Sequence, residues 1–238
     1  TAVPPFSAVF VGNVQVAVRD RAAGTTTTVP APFLVDRTTN GVVSRDGCRV
    51  AFWGYFVGFN IGIFSIPARW SIYTWNRCTP AAAPTFVSNA AGILPLSTDP
   101  VGGLAISADG RYVAFTASNP SLGSRIARVD TNPPITAASE ALLQDGFFNP
   151  NSIDISDDGA FLAIGGQTTI DDRTRNVVEG WIPPCVPVGE FSFNCNSELI
   201  SVGSTGLTTS EINYNPSVSA DGRYVAFASA STNLVAGV

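Results

Sequence analysis

The sequence contains no histidine, no lysine and no methionine among its 238 residues. Histidine is the usual general base and the commonest metal ligand, so its absence excludes Ser-His-Asp and Cys-His catalysis and most zinc sites. All 13 basic residues are arginines, they form no cluster, and the net charge is −5. A nucleic-acid-binding surface is therefore not expected. We predict no catalytic residues, no metal and no cofactor.

Charged residues and long apolar runs are also scarce. Charged residues make up 13% of the chain and apolar residues 45%, whereas a typical domain is about 25% charged. This balance argues against a disordered chain. The longest apolar stretch, Val50 to Ile66, is interrupted by glycine and polar residues. It is too broken for a membrane span, so none is expected.

The missing methionine and the cysteines both bear on export. A complete reading frame begins with methionine, so the sequence predicts a removed export signal or a piece of something larger. The cysteines are Cys48, Cys78, Cys185 and Cys195, and no two of them form a C-x-x-C pair. An even number of cysteines in an exported chain favours two disulfides, and three connectivities are open.

Four segments of the chain share one pattern. They span residues 43–52, 106–115, 155–164 and 218–227, and the second reads I-S-A-D-G-R-Y-V-A-F. The serines at 44, 107, 156 and 219 lie 63, 49 and 63 residues apart. A repeat of this length made of short strands is typical of propeller blades.

Each repeat predicts a strand, a tight turn and a second strand. Asp-Gly favours the turn, because glycine accepts positive φ and aspartate bonds its own backbone. The second strand is apolar on both faces, with Val113 and Phe115 on one and Tyr112 and Ala114 on the other. Such a strand must be covered on both faces, as the inner strands of a blade are.

These S-x-D-G-R-Y-V-A-F segments, with V-R-D-R-A-A-G-T-T-T at residues 18–27, resemble the TolB-type (WD40-like) propeller repeats of bacterial exported proteins. The resemblance covers nearly the whole chain. It implies a β-propeller fold, a periplasmic or surface location, and a role in binding or assembly. It carries no catalytic motif to transfer.

The predicted fold is an all-β, four-bladed β-propeller that forms one domain over residues 1–238. The blades are expected at about residues 30–90, 91–145, 146–204, and 205–238 together with 10–29. The last repeat lacks its outer strands, while residues 14–29 read as strand, turn, strand. We therefore expect the N- and C-terminal half-blades to close the last blade together, which would leave no unpaired edge.

This strand placement within the TolB-like blades also suggests a pairing of the cysteines. Cys48 opens the second strand of its blade and Cys78 follows the third, and these strands are antiparallel neighbours. We therefore predict a Cys48–Cys78 disulfide. Cys185 and Cys195 would then pair across a hairpin of the third blade.

Two further features could carry chemistry. The pairs Asp157-Asp158 and Asp171-Asp172 offer the oxygens that Ca²⁺ prefers, but no D-x-D-x-D-G loop is present, so a turn and a solvated loop explain them better. Two converging carboxylates would allow a glycoside-active enzyme, although most acidic residues lie beside turn glycines or arginines.

An aromatic stretch is the candidate interaction surface. Residues 52–75 are rich in aromatics and glycine, and blade core explains most of this stretch. An exposed part would suit a sugar or a protein partner. The candidate surface consists of four residues of this stretch and two of the N-terminal segment. They are Trp53, Tyr55, Phe56 and Phe59, with Phe6 and Phe10.

The leading functional hypothesis is a non-enzymatic, exported structural or assembly subunit that polymerises into an extracellular filament or surface layer. Its partner would be another copy of itself or another exported protein. The alternatives are a soluble periplasmic or extracellular module that binds a protein or glycan, and the glycoside-active propeller enzyme. An extracellular or cell-surface location is expected, with the periplasm as the alternative.

Overall fold

The computed structural model consists of strands and turns throughout the part of the chain that it describes. It describes residues 14–32, 34–61, 64–79, 81–88, 102–119, 123–132, 141–142, 147–170, 172–187, 193–203 and 213–235. Within these ranges, no helix has the length and apolar character that crossing a membrane requires.

The described residues form 18 strands. In chain order they are β1 (Ala17–Asp20), β2 (Thr25–Thr28), β3 (Val35–Val43), β4 (Arg49–Phe56), β5 (Phe59–Ile61), β6 (Phe64–Ile66), β7 (Arg69–Asn76), β8 (Thr85–Phe86), β9 (Leu104–Ile106), β10 (Tyr112–Asn119), β11 (Gly123–Asp130), β12 (Ala141–Leu142), β13 (Phe147–Ile155), β14 (Leu162–Ile170), β15 (Arg173–Pro187), β16 (Phe193–Leu199), β17 (Asn213–Val218) and β18 (Val225–Ser229).

Three antiparallel sheets of four strands form the body of the molecule. Their orders are β3-β4-β7-β8, β9-β10-β11-β12 and β13-β14-β15-β16, so the strands of each sheet lie in chain order. The short hairpin β5–β6 is a separate sheet inserted between β4 and β7. Successive four-stranded antiparallel sheets of this kind are the blades of a β-propeller. The all-β prediction is therefore confirmed, and each of these sheets is called a blade below.

The hydrophobic core lies between the blades. Ala51 and Trp53 of the first blade are buried against Val113 and Phe115 of the second. On the opposite face of that second blade, Ala114 packs against the third blade in a separate cluster. Successive residues of one strand point to opposite faces, so each inner strand serves two interfaces. This explains why the repeat is apolar on both faces.

The two remaining sheets are half-blades at the ends of the row. Among the described strands, β1 pairs only with β2, and β17 pairs only with β18. The N-terminal hairpin covers the outer face of the first blade, where Val16, Val18 and Val29 pack around Phe52. The half-blade β17–β18 follows the third blade. Within the described residues the two half-blades are separate sheets, so a fourth blade shared by both termini stays a prediction.

The structure joins Cys48 and Cys78 in a disulfide with their Cα atoms 5.1 Å apart, as the strand placement predicts. The other two cysteines lie on paired strands, and the register shifts between Ile182 and Val186, beside Cys185. The side chains of Cys185 and Cys195 lie outside the described set, so their pairing stays a prediction.

Removal of the Cys48–Cys78 disulfide should destabilise the fold. The bridge closes a sequence separation of 30 residues, for which loop entropy predicts about 3–4 kcal/mol. We expect a Cys48→Ser/Cys78→Ser variant to lose about that free energy of unfolding in denaturant titrations. A loss below about 1 kcal/mol would contradict the expectation, since native disulfides typically contribute more.

Glu179 is a half-buried carboxyl on β15. The indole Nε1 of Trp181 donates a hydrogen bond to its Oε2 at 3.1 Å. Burial raises the pKa of Glu179 above its ordinary value, and the Trp181 hydrogen bond opposes that rise only in part. A raised pKa in the folded state means that the stability contribution is present at low pH and is lost as the pH rises through that pKa.

We therefore expect Glu179→Gln to raise the unfolding temperature at neutral pH, because the variant buries no ionised carboxylate. The advantage should shrink or vanish in acid, where the native glutamate is protonated. Differential scanning calorimetry from acid to neutral pH measures the difference in unfolding temperature between the variant and the native chain. The matched control is Glu198→Gln, since Glu198 is exposed on the neighbouring strand β16. Equal shifts in both variants at all pH values would contradict this assignment.

Candidate assembly interface

The Ser-x-Asp-Gly turn has the same hydrogen bonds in all four repeats. The serine Oγ donates to the aspartate Oδ1 at 2.5–2.7 Å, and the backbone N–H five residues after the serine donates to the serine Oγ at 2.9–3.0 Å. The glycine N–H donates to the serine carbonyl, and the glycine φ lies between 70° and 73°. Glycine is needed there because other residues are strained at positive φ.

In three of the turns, those of Asp46, Asp158 and Asp221, these bonds favour the ionised aspartate. The hydroxyl of Ser44 lowers the pKa of Asp46, and the hydroxyl of Ser219 lowers that of Asp221. The backbone N–H of Ala160 is the main cause of the lowered pKa of Asp158. The turns are therefore most stable above the ordinary aspartate pKa, and this stability is lost as the pH falls through the folded-state values.

A ladder of backbone hydrogen bonds joins the four turns. The residue between the serine and the aspartate donates its N–H to the carbonyl of the residue at the equivalent position in the next repeat. Arg45 donates to Ala108 at 3.0 Å, Ala108 to Asp157 at 2.9 Å, and Asp157 to Ala220 at 3.0 Å. We call this series the turn ladder. An ion pair between the side chains of Arg45 and Asp157 reinforces it.

A side-chain contact repeats alongside the turn ladder. The residue five positions after the serine lies over the turn glycine of the next repeat. Arg49 lies over Gly110, Tyr112 over Gly159, and Phe161 over Gly222. A Cβ on Gly110 or Gly159 would lie too close to the covering side chain, and one on Gly222 would make a tight contact of 3.0 Å. Glycine is thus required twice, for its backbone angle and for this close approach.

The turn ladder is open at both ends within the described residues. There the Ala220 N–H has no acceptor and the Arg45 carbonyl has no donor. The fourth covering side chain, Tyr224, has no glycine beneath it and is 61% exposed. The first turn glycine, Gly47, has only the Arg77 guanidinium near its Cβ position, at 3.4 Å.

The alanine of the repeat shows most directly that the fourth repeat lacks the neighbour that the first three have. Ala51, Ala114 and Ala163 are all 0% exposed, because each faces the blade that follows. Ala226 is the fourth copy and is exposed. At the other end of the row, Val43 faces away from the second blade and is 47% exposed.

Within the part of the chain that the structure describes, both half-blades present an unpaired strand edge. β18 pairs on one side with β17, and β1 pairs on one side with β2. β18 reads V-A-F-A-S and carries no charge and no proline. Natural edge strands are usually protected by charged residues, proline or bulges, so β18 has the character of an inner strand.

One of the six residues of the predicted aromatic surface is core, two are half-buried, and three lie outside the described side chains. Trp53 is 1% exposed and is buried between the first and second blades, so it offers no free surface. Tyr55 and Phe56 are half-buried. Phe59 lies on β5, with its side chain outside the described set, and Phe6 and Phe10 also lie outside the described residues.

Arginine covers the half-buried aromatics. The Arg37 guanidinium carbon lies 4.3 Å from the ring centroid of Tyr55 and 5.6 Å from that of Trp70. The guanidinium carbon of Arg69 lies 5.4 Å from the ring of Phe56. Each of these cation–π contacts covers one face of the ring.

The acidic pairs have structural positions where the structure describes them. Asp157 belongs to the turn ladder and Asp158 to a Ser-x-Asp-Gly turn. Asp171 lies outside the described residues, and Asp172 has a φ of 57°. Across the described part of the chain, no three His, Cys, Asp or Glu side chains are grouped to hold a metal ion.

The sequence-based list of surface residues missed the open positions of the repeat. Tyr224, Ala226, Ala220 and Val43 belong to a motif that was interpreted as turn and core. Their positions could have been identified from the order of the repeats, since three of them belong to the last repeat and Val43 to the first. A contact that each repeat makes with the next is necessarily unmet at both ends of an open row.

The chain is similar to solved propeller structures at low identity. The hydrazine synthase of Kuenenia stuttgartiensis matches 90% of this chain and 55% of its own at 12% identity, with a TM-score of 0.52. A protein designated TolB from Agrobacterium tumefaciens matches 88% and 60% at 16% identity, with a TM-score of 0.49. The periplasmic gluconolactonase of Pseudomonas aeruginosa matches 91% and 57% at 16% identity, with a TM-score of 0.45.

These similarities concern the fold alone, because all three sequence identities are too low for a shared function to be inferred from them. The chain spans 55–60% of the length of these structures. No protein-family model matches the chain. No curated protein matches it either.

The close approach at the turn glycines can be measured with alanine. Gly47 and Gly159 have nearly equal φ values of 72° and 73°, so Gly→Ala strains the backbone equally at both. Only Gly159 has the Tyr112 ring above it. We expect Gly159→Ala to cost about 1–3 kcal/mol more free energy of unfolding than Gly47→Ala, since overpacking has that typical cost. Equal losses in denaturant titrations of the monomer would contradict the contact.

Proposed function

We propose that this chain is a non-enzymatic, exported structural subunit that assembles head to tail with further copies of itself. One observation carries the proposal. The alanine that three repeats bury completely is exposed in the fourth, on a strand whose composition is that of an inner strand. A second copy would restore the cover that the other three have.

The physical basis is the energy of the inter-blade contact. Each such contact buries apolar residues from both partners, and burial stabilises by about 25 cal/mol per Å² of apolar surface. Because Tyr224, Ala226 and Val43 are exposed, this stabilisation by burial is missing at both ends of the series of blades. Because the two ends are different surfaces, association joins unlike faces and continues from copy to copy.

The disulfide supports export. Cys48–Cys78 is formed in the structure, and structural disulfides persist in oxidising compartments such as the periplasm and the cell exterior. A low charge and a Ser- and Thr-rich surface suit a durable extracellular assembly. We therefore favour the cell exterior over the periplasm.

A structural role also accounts for the perturbed carboxyl groups. Asp46, Asp158 and Asp221 bind their own turns. Asp130 accepts two hydrogen bonds from Arg111, at 2.8 and 2.9 Å. Glu179 accepts one from a buried tryptophan. Each of these groups therefore has a structural partner, and none needs a substrate to explain its environment.

The proposal is tested by the mass of the chain in solution as a function of concentration. We expect association of the native chain and weaker association of Ala226→Arg, by at least about tenfold in the dissociation constant, which is about 1.4 kcal/mol. Arginine there would place a bulky charge where the next copy packs. Analytical ultracentrifugation measures both, and electron microscopy shows whether the products are rings or fibres.

Ala160→Arg is the matched control. Ala160 is also exposed, and the second and fourth repeats already carry an arginine at this position, Arg111 and Arg223. The control should associate as the native chain does. A native chain that stays monomeric at all concentrations would overturn the proposal and favour the binding-module alternative.

A further inference from the structure

The contacts between successive repeats predict how one copy meets the next. Resting on the self-assembly proposed above, we propose that the turn ladder continues between copies. The Ala220 N–H of one copy donates to the Arg45 carbonyl of the next, Tyr224 lies over Gly47, and Ala226 packs against Val43. The three contacts within the chain are the template, because each uses these same positions of the repeat.

The partner of Ala226 follows from the faces of the blades. In the contact between the second and third blades, Ala114 lies in one cluster with Ile155, the last residue of the first strand of the third blade. Val43 is the equivalent last residue of β3 in the first blade. It is 47% exposed, whereas Ile155 is 6% exposed. Val43 is therefore the uncovered counterpart that Ala226 lacks.

The strand edges of the half-blades agree with this arrangement. In complete blades the third strand lies against the first strand of the following blade, as where the Asn213 side chain donates to the Asn176 carbonyl at 2.8 Å. The segment leading into β1 makes the same kind of contact, since the Thr38 N–H donates to the Val14 carbonyl at 2.9 Å. The hairpin β1–β2 thus occupies the outer half of a blade that precedes the first.

The inner half of that preceding blade is what β17–β18 supplies. Two strands from one copy and two from the next make four, the number in each complete sheet. The unpaired edges of β18 and β1 would then meet and satisfy each other. Because the hairpin β1–β2 has the outer strands that β17–β18 lacks, the occupant we assign to the edge of β18 is a second copy of this chain.

Cysteine cross-linking tests the register. Val43→Cys and Ala226→Cys are made as separate variants, mixed, and treated with a short thiol cross-linker at a concentration where the native chain associates. We expect a covalent dimer in the mixture and at most traces with either variant alone. The double variant should give a ladder of multimers, because each copy then carries both halves of the contact.

The controls isolate the interface. The native chain reports any reaction of its own cysteines, and Ala160→Cys mixed with Val43→Cys tests an exposed alanine of the third repeat that lies away from the contact. This control pair should yield at least about tenfold less dimer, in line with the weaker encounter of unmatched surfaces.

The possible outcomes distinguish a failure of the register from a failure of the proposed function. Association without cross-links between positions 43 and 226 overturns the register and leaves the proposed function standing. A cross-link inside one monomeric chain of the double variant shows that the blade closes within one copy and overturns both. Absence of association by mass overturns the proposed function itself.

Discussion

The turn ladder is the constraint on which the rest of this structure depends. A backbone N–H in each of the first three turns donates to a carbonyl of the next turn, so the ladder fixes the spacing of successive repeats at their turns. The Ser-x-Asp-Gly bonds hold that N–H and carbonyl in place, since the serine and aspartate satisfy the other polar groups of the turn. The faces of successive blades then pack against each other through buried apolar residues.

Close approach at the ladder explains the small residues of the repeat. The turn glycine leaves room for a side chain from the preceding repeat, as Gly159 does for Tyr112. The strand alanine does the same one layer further out, and Ala114 is completely buried there. The ladder, the glycine contact and the alanine contact are thus one interface, and each repeat carries one half of it on either side.

Much of this was predictable from the sequence, because the repeat encodes turn chemistry and strand faces together. Asp-Gly and the two-sided apolar strands correctly predicted blades, and the positions of Cys48 and Cys78 on neighbouring strands correctly predicted their bond. The aromatic stretch was harder to interpret. Trp53 and Tyr55 alternate with residues of the opposite face, and sequence alone does not show that Trp53 is covered while Arg37 shields Tyr55.

The open positions were harder still, because burial depends on a neighbour and the sequence of one repeat does not say whether a neighbour exists. V-A-F occurs identically at 50–52, 113–115 and 225–227. The first two copies are buried, and the third is partly exposed. The same residues are therefore buried core in one place and partly exposed in another, according to their order in the row.

In the assembly proposed above, the direction of the turn ladder limits how two copies can meet. Every rung runs from the N–H of one repeat to the carbonyl of the next, so one end of the row offers a donor and the other an acceptor. Two copies cannot satisfy both by meeting through the same face, which excludes a two-fold contact through either end alone. Only unlike ends match, and repeated contacts of that kind either close into a ring or grow into a fibre, according to the rotation between copies. The curvature that the turn ladder imposes within a chain is therefore the quantity that selects between ring and fibre.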